Sequence, residues 1–138
     1  LAAEGYRQLT DATELASKNC CGEKRLMAAG IAYIDFARAN PELYKLMFGP
    51  VLACPMEYPE LVEAGQQAFS VILNHVQQGI NDGQFTQIDP GILANGAWAM
   101  VHGIASLWID GMYECCESEE ESIIHESLKL LLHGFLQR

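Results

Sequence analysis

The stretch DPGILANGAWAMVHGIASLWIDG, residues 89–111, holds no charged side chain between Asp89 and Asp110. Asp89 followed by Pro90 is a helix start, because the acid accepts from the first free amides and proline's fixed φ suits the first helical position. No proline follows Pro90, so the pattern predicts one helix reaching about Tyr113. Gly96, Ala99, Gly103 and Ser106 recur three then four residues apart and leave one face with little bulk, where another backbone can approach closely. Trp98, Val101, Ala105, Trp108 and Met112 fill the neighbouring faces. A helix apolar nearly all round needs partners on several sides. Its length approaches a bilayer span, but Asn95, His102 and Ser106 lie inside it and both flanks are acidic, so burial in protein is the better reading.

The segment after it repeats the over-apolar signature. Ser118 to Glu121 fits a capping box, which predicts a last helix over about 119–136, and Ile123, Ile124, Leu128, Leu131, Leu132 and Phe135 cover more than one stripe of it. Two such helices together have the form of a helix-pair dimer interface, since a second copy completes a four-helix bundle. The expected contact residues are Gly96, Ala99, Gly103 and Ser106 on the first helix and Ile124, Leu128, Leu131 and Phe135 on the second. The competing reading makes both helices the centre of a single chain's core.

Towards the N-terminus the pattern predicts four more helices. Leu1 to about Lys18 carries Tyr6, Leu9, Thr13 and Ala16 on one face, and Glu23 to about Ala39 is apolar on two sides, as a buried helix is. Asn40-Pro41-Glu42 opens a short helix to about Phe48, ended by Gly49-Pro50, and prolines break the chain through Pro59. From Pro59 to about Asn81 a long amphipathic helix places Leu61, Gly65, Ala68, Phe69, Ile72, Val76 and Ile80 on one side, and Asp82-Gly83 stops it. No strand pattern competes, so the expected fold is all-α, one domain of about six helices over residues 1–138.

Half the residues are hydrophobic and 19% are charged, a globular balance. Eighteen acidic against eight basic side chains give a net charge of −10, which repels phosphate backbones, and no basic run relieves it, so the chain is not expected to hold DNA by itself. Five cysteines, including the pairs Cys20-Cys21 and Cys115-Cys116, form an odd set without a disulfide-framework spacing, which points to a reducing cytoplasm. Adjacent cysteines on a helix point about 100° apart and make a poor chelate, so bystander thiols are the simpler account. No HExxH, phosphate loop or GxSxG is present, so neither a metal site, a cofactor nor an enzyme is expected. The glutamates at 117 and 119–121 serve as helix-start acids rather than a cation site.

Two blocks in order, YIDFARANPELYKLMFGP at 33–50 and AWAMVHGIASLWIDG at 97–111, resemble the C-terminal domains of tetracycline-repressor-type (TetR) transcriptional regulators that carry a Trp, His and Gly motif. The matching residues are Phe36, Pro41, Tyr44, Met47, Phe48 and Gly49, then Trp98, His102 and Gly103. The resemblance implies a homodimer in which this domain binds a small molecule and a separate N-terminal helix-turn-helix domain binds DNA. The chain begins where the family's fourth helix would, so DNA binding is expected of a parent protein only.

An enclosed apolar cavity among helices is the usual form of a small-molecule site. Tyr33, Phe36, Met47, Phe48, Phe69, Trp98, Val101 and His102 are the residues available to line one, although aromatic and Met side chains at helical spacing are more often plain core. His102 offers a donor and an acceptor to a polar ligand atom, and the plainer alternative is a buried imidazole satisfied by a neighbour. The expected function is effector sensing and dimerisation for a regulator. Its rivals are a free-standing helical binding or catalytic bundle and a purely oligomerising module with a filled core.

Overall fold

The prolines and glycines set the helix ends. In the computed structural model, which describes residues 1–48, 58–113 and 117–136 with backbone only over 117–120, six helices follow one another: α1 (Ala2–Ser17), α2 (Gly22–Ala39), α3 (Pro41–Phe48), α4 (Pro59–Asn81), α5 (Pro90–Ile109) and α6 (Glu117–Phe135). Pro41, Pro59 and Pro90 each stand at a first helical position, where a missing N–H costs nothing. The Asp89 carboxylate accepts from the Gly91 amide at 2.9 Å, as its cap role requires. Asn40 acts differently from expectation. Its amide donates back to the Phe36 carbonyl at 3.0 Å, so its side chain closes α2 rather than opening α3.

Helix α5 ends at Ile109, earlier than the predicted Tyr113, because Gly111 takes φ +73° just past the last turn. The capping box at Ser118 falls on side chains outside the described residues. On α1 the buried side is Gly5, Leu9, Thr13 and Ser17, and Ala16 faces outward. Two hydroxyls sit in that buried face because the helix itself satisfies them: Thr13 Oγ1 donates to the Leu9 carbonyl at 3.0 Å and Ser17 Oγ to the Thr13 carbonyl at 2.7 Å.

Helix α2 is the central element, in contact with all five others. Its two apolar sides bury Leu26, Ala29, Tyr33, Ile34, Phe36 and Ala37. The core forms two clusters. One joins Tyr33, Ile34 and Ala37 to Val101, Ile104, Ile124 and Leu128, and the other joins Leu26 to Val76, Phe85, Leu93, Leu132 and Phe135. Early residues of α2 and α5 thus share a cluster with late residues of α6. Among the described residues α5 is the one helix long and apolar enough to cross a membrane. Leu93, Ala94, Ala97, Val101, Ile104 and Ala105 on it are buried against α2, α4 and α6.

The burial corrects part of the expected dimer contact. Ile124 is 2% exposed, Leu128 3% and Phe135 6%, so these side chains have no surface to offer a second copy. Leu131 is half-buried. Helix α6 is apolar on more than one stripe because it packs on both α2 and α5, and its outward face carries Leu130, His133 and Gly134 instead.

Candidate functional site

Five helices leave a cavity of about 460 Å³ between them. Helix α4 supplies its longest wall, through Leu61, Gly65, Ala68, Phe69 and Ile72, which a 3.6-residue period brings to one side. Helix α1 adds Tyr6 and Leu9, α2 adds Tyr33, α3 adds Met47 and Phe48, and α5 adds Trp98. The Tyr6 hydroxyl donates to the Met47 carbonyl at 3.0 Å and fastens α1 to the end of α3. Aromatic rings then stand edge to face or tilted around the space: Tyr6 on Phe48 with centroids 5.3 Å apart, and Phe69 on Trp98 at 5.8 Å.

No Asp, Glu, Lys, Arg or His belongs to the described wall. Its side-chain polar groups are the phenols of Tyr6 and Tyr33, the Trp98 indole N–H and the exposed Gln66 amide. Burial pushes both phenols up to about 12, so they stay neutral and act only as hydrogen-bonding groups. The site can therefore enclose apolar matter and orient a few polar atoms. Among the described residues its wall pairs no nucleophile with a base.

Of the eight residues expected to line a pocket, Tyr33, Met47, Phe48, Phe69 and Trp98 do so. Three do not. Phe36 is 8% exposed and belongs to the core cluster, and Val101 faces a separate void of about 30 Å³ deeper in the bundle. His102 stands behind the wall, with Nδ1 2.6 Å from the Tyr44 hydroxyl and Nε2 3.4 Å from Ser106 Oγ. Burial lowers its pKa, which keeps the imidazole neutral. It is thus satisfied by neighbouring side chains. The wall residues on α1 and most of those on α4 were not foreseen. The signal was present in the α4 stripe, whose small members Gly65 and Ala68 are the kind that leave space between helices.

Cys20 and Cys21 stand apart from this cavity. Both are free thiols at the turn between α1 and α2, and no group of three or more His, Cys, Asp or Glu side chains gathers among the described residues. Cys54 and the Cys115-Cys116 pair lie outside the described residues. Glu121 pairs with Arg38 at 2.6 Å, linking α6 to α2.

Residues 26–135 match the family described as tetracyclin repressor-like, C-terminal domain. The chain belongs to that family. Domains of this TetR-like kind generally pair as homodimers and bind small-molecule effectors. A solved structure of a protein with unknown function from Rhodococcus sp. RHA1 superposes with a TM-score of 0.89 at 28% identity, over 99% of this TetR-like chain and 71% of that one. No curated protein matches the chain.

Proposed function

We propose that this TetR-like domain senses a small, mainly apolar effector in the five-helix cavity and transmits its presence, across a homodimer, to a separate DNA-binding domain of a cytoplasmic regulator. The observation that carries the reading is the cavity itself: about 460 Å³, walled by aromatic and aliphatic groups, with no charged side chain on the described wall. A filled core would support the oligomerising module instead. The wall draws on α1 to α5, so an occupant touches five helices at once and favours whichever arrangement fits it better, which is what a shift of population requires. The net charge of −10 supports leaving DNA contact to another domain.

The test is thermal unfolding in the presence of a panel of apolar and amphipathic compounds. A compound that binds the folded state raises the midpoint with concentration; at about one hundred times Kd the gain is about 2.7 kcal/mol, or roughly 8 °C for a domain of this size. Trp98→Ala is the companion variant. Trp98 is 37% exposed and faces the cavity, so its truncation costs less than the roughly 3 to 5 kcal/mol of a fully packed aromatic residue, and it shrinks the ligand-induced rise. No midpoint shift with any compound, together with a full core penalty for Trp98→Ala, would leave only the dimerisation role.

A further inference from the structure

The hydrogen bonds behind the cavity wall link five side chains in series, and Ser106 at the far end also interacts with the Tyr44 hydroxyl. Trp98 Nε1 donates to the Tyr33 hydroxyl oxygen at 3.3 Å, the Tyr33 and Tyr44 hydroxyls are 2.8 Å apart, the Tyr44 hydroxyl meets His102 Nδ1 at 2.6 Å, and His102 Nε2 lies 3.4 Å from Ser106 Oγ. An indole N–H can only donate, so the Trp98 end is fixed. The remaining links have two self-consistent senses, because each hydroxyl and a neutral imidazole is both a donor and an acceptor.

In the first sense Tyr33 donates to Tyr44, Tyr44 donates to Nδ1, and an Nε2–H imidazole donates to Ser106. In the second, Ser106 donates to Nε2, an Nδ1–H imidazole donates to Tyr44, and Tyr44 donates to Tyr33. The second sense releases the Tyr33 O–H, and among the described residues no other side chain or carbonyl accepts it. Without an acceptor in the cavity, the first sense therefore prevails. Tyr33 lines the cavity at one end of the chain, and Ser106 at the other end is half-buried on the same face of α5 as Gly103 and the exposed Ala99.

We propose that this chain is a reversible relay, and that the effector is an uncharged molecule whose hydrogen-bond acceptor, such as a carbonyl oxygen, takes the Tyr33 O–H and thereby switches His102 from its Nε2–H to its Nδ1–H tautomer. The proposal rests on the cavity being the effector site. The volume admits on the order of fifteen non-hydrogen atoms. The change balances: Nδ1 takes the Tyr44 proton, Tyr44 takes that of Tyr33, Tyr33 regains one from solvent on the cavity side, and the Nε2 proton leaves through the half-buried Ser106 to solvent, so each hydroxyl keeps one proton and the imidazole stays neutral. Its result at the α5 surface is that the Ser106 hydroxyl turns from accepting to donating.

Benzophenone and diphenylmethane share a two-ring framework of suitable size, and only the first carries an acceptor. The nitrogen-15 shifts of histidine-labelled protein at about pH 8, where the imidazole is neutral, distinguish the two tautomers, and His102→Gln identifies the signals by their loss. Both compounds are expected to raise the thermal midpoint. Only benzophenone should exchange the protonated and unprotonated nitrogens of His102. In Tyr44→Phe, which leaves the cavity wall intact, benzophenone should still raise the midpoint and no longer move the tautomer. A midpoint rise with benzophenone and an unchanged tautomer in the native chain overturns the relay and leaves the cavity reading standing, and so does the same tautomer change with diphenylmethane. A midpoint unmoved by either compound overturns the sensing reading of the cavity and the relay with it.

Discussion

His75 is a residue whose acid–base chemistry the packing alters near the physiological range. Its Nε2 lies 2.9 Å from the Ser17 hydroxyl, itself 2% exposed, and burial pushes the imidazole down to about 4, with the Arg25 guanidinium adding to the effect. Protonation is then easier in the unfolded chain, where the value is 6.5. Between about 4 and 6.5 the unfolded state binds more protons, so the stability conferred by neutral His75 is complete above that window and is lost as the pH falls through it. His75 is only half-buried, and solvent screening reduces the effect to about 1 kcal/mol. Urea unfolding at neutral pH and near the lower edge of the window should show it. Carboxylates titrate in the same range, so the decisive quantity is the difference from His75→Gln; equal acid sensitivity in the two proteins would refute the assignment. Nothing in the sequence distinguished His75 from a surface histidine, because its partner is 58 residues away. The large wall residues were easier to read. Tyr33, Met47, Phe48, Phe69 and Trp98 announce bulk at helical spacing, whereas the exclusion of Phe36, Val101 and His102 depended on which neighbour reached each helix face first.

At the scale of elements, the link between α4 and α5 does more than connect them. Phe85 is fully buried, its ring edge-on to Phe135 with centroids 6.0 Å apart. The Thr86 amide donates to the Phe135 carbonyl at 2.8 Å, next to an isolated antiparallel bridge between Phe85 and Leu136. This staples the end of α6 to the turn after α4. The ring fits because residue 79 is glycine: a Cβ there would stand 2.3 Å from the Phe85 ring. Gly79→Ala normally favours a helix by up to about 1 kcal/mol, but the displaced aromatic has no free space to enter, so net destabilisation of about 1 to 3 kcal/mol is expected. Denaturant unfolding measures it, and a variant as stable as the native chain would show that Phe85 can move. The helix starts were legible from Pro41, Pro59 and Pro90, and the end of α4 from Gly83, since these residues act through their own backbone. The staple was not, because its two halves are 50 residues apart.

For the molecule as a whole, the open matter is what covers the outer side of α5. Ile92 is 62% exposed and Leu107 44%, with Ala99 between them, and Leu130 on α6 is 75% exposed. Gly103 has no atom within 4 Å of where a Cβ would stand, so a second backbone can come close there. A second copy laid on this face follows the family's habit of homodimerisation. Sedimentation of the domain at micromolar concentration is expected to give a dimer, and Leu107→Glu a monomer of unchanged helix content, because the partly exposed site tolerates the charge within one chain. A native monomer, or a Leu107→Glu dimer, would place the interface elsewhere.

The sequence by itself determined the helices and their order, because prolines, glycines and a 3.6-residue apolar period act within a few residues of one another, while the family was legible only through the resemblance of the blocks at 33–50 and 97–111. It also determined that α5 and α6 each need partners on more than one side. Only the tertiary structure decided which partners those are: Ile124, Leu128 and Phe135 turned out to serve the chain's own core, and the cavity opened against α1 as well. Periodicity tells which residues share a face. Which face meets which helix, and where five of them fail to close, is set by the summed volumes of side chains far apart in the chain, and no local pattern carries that sum.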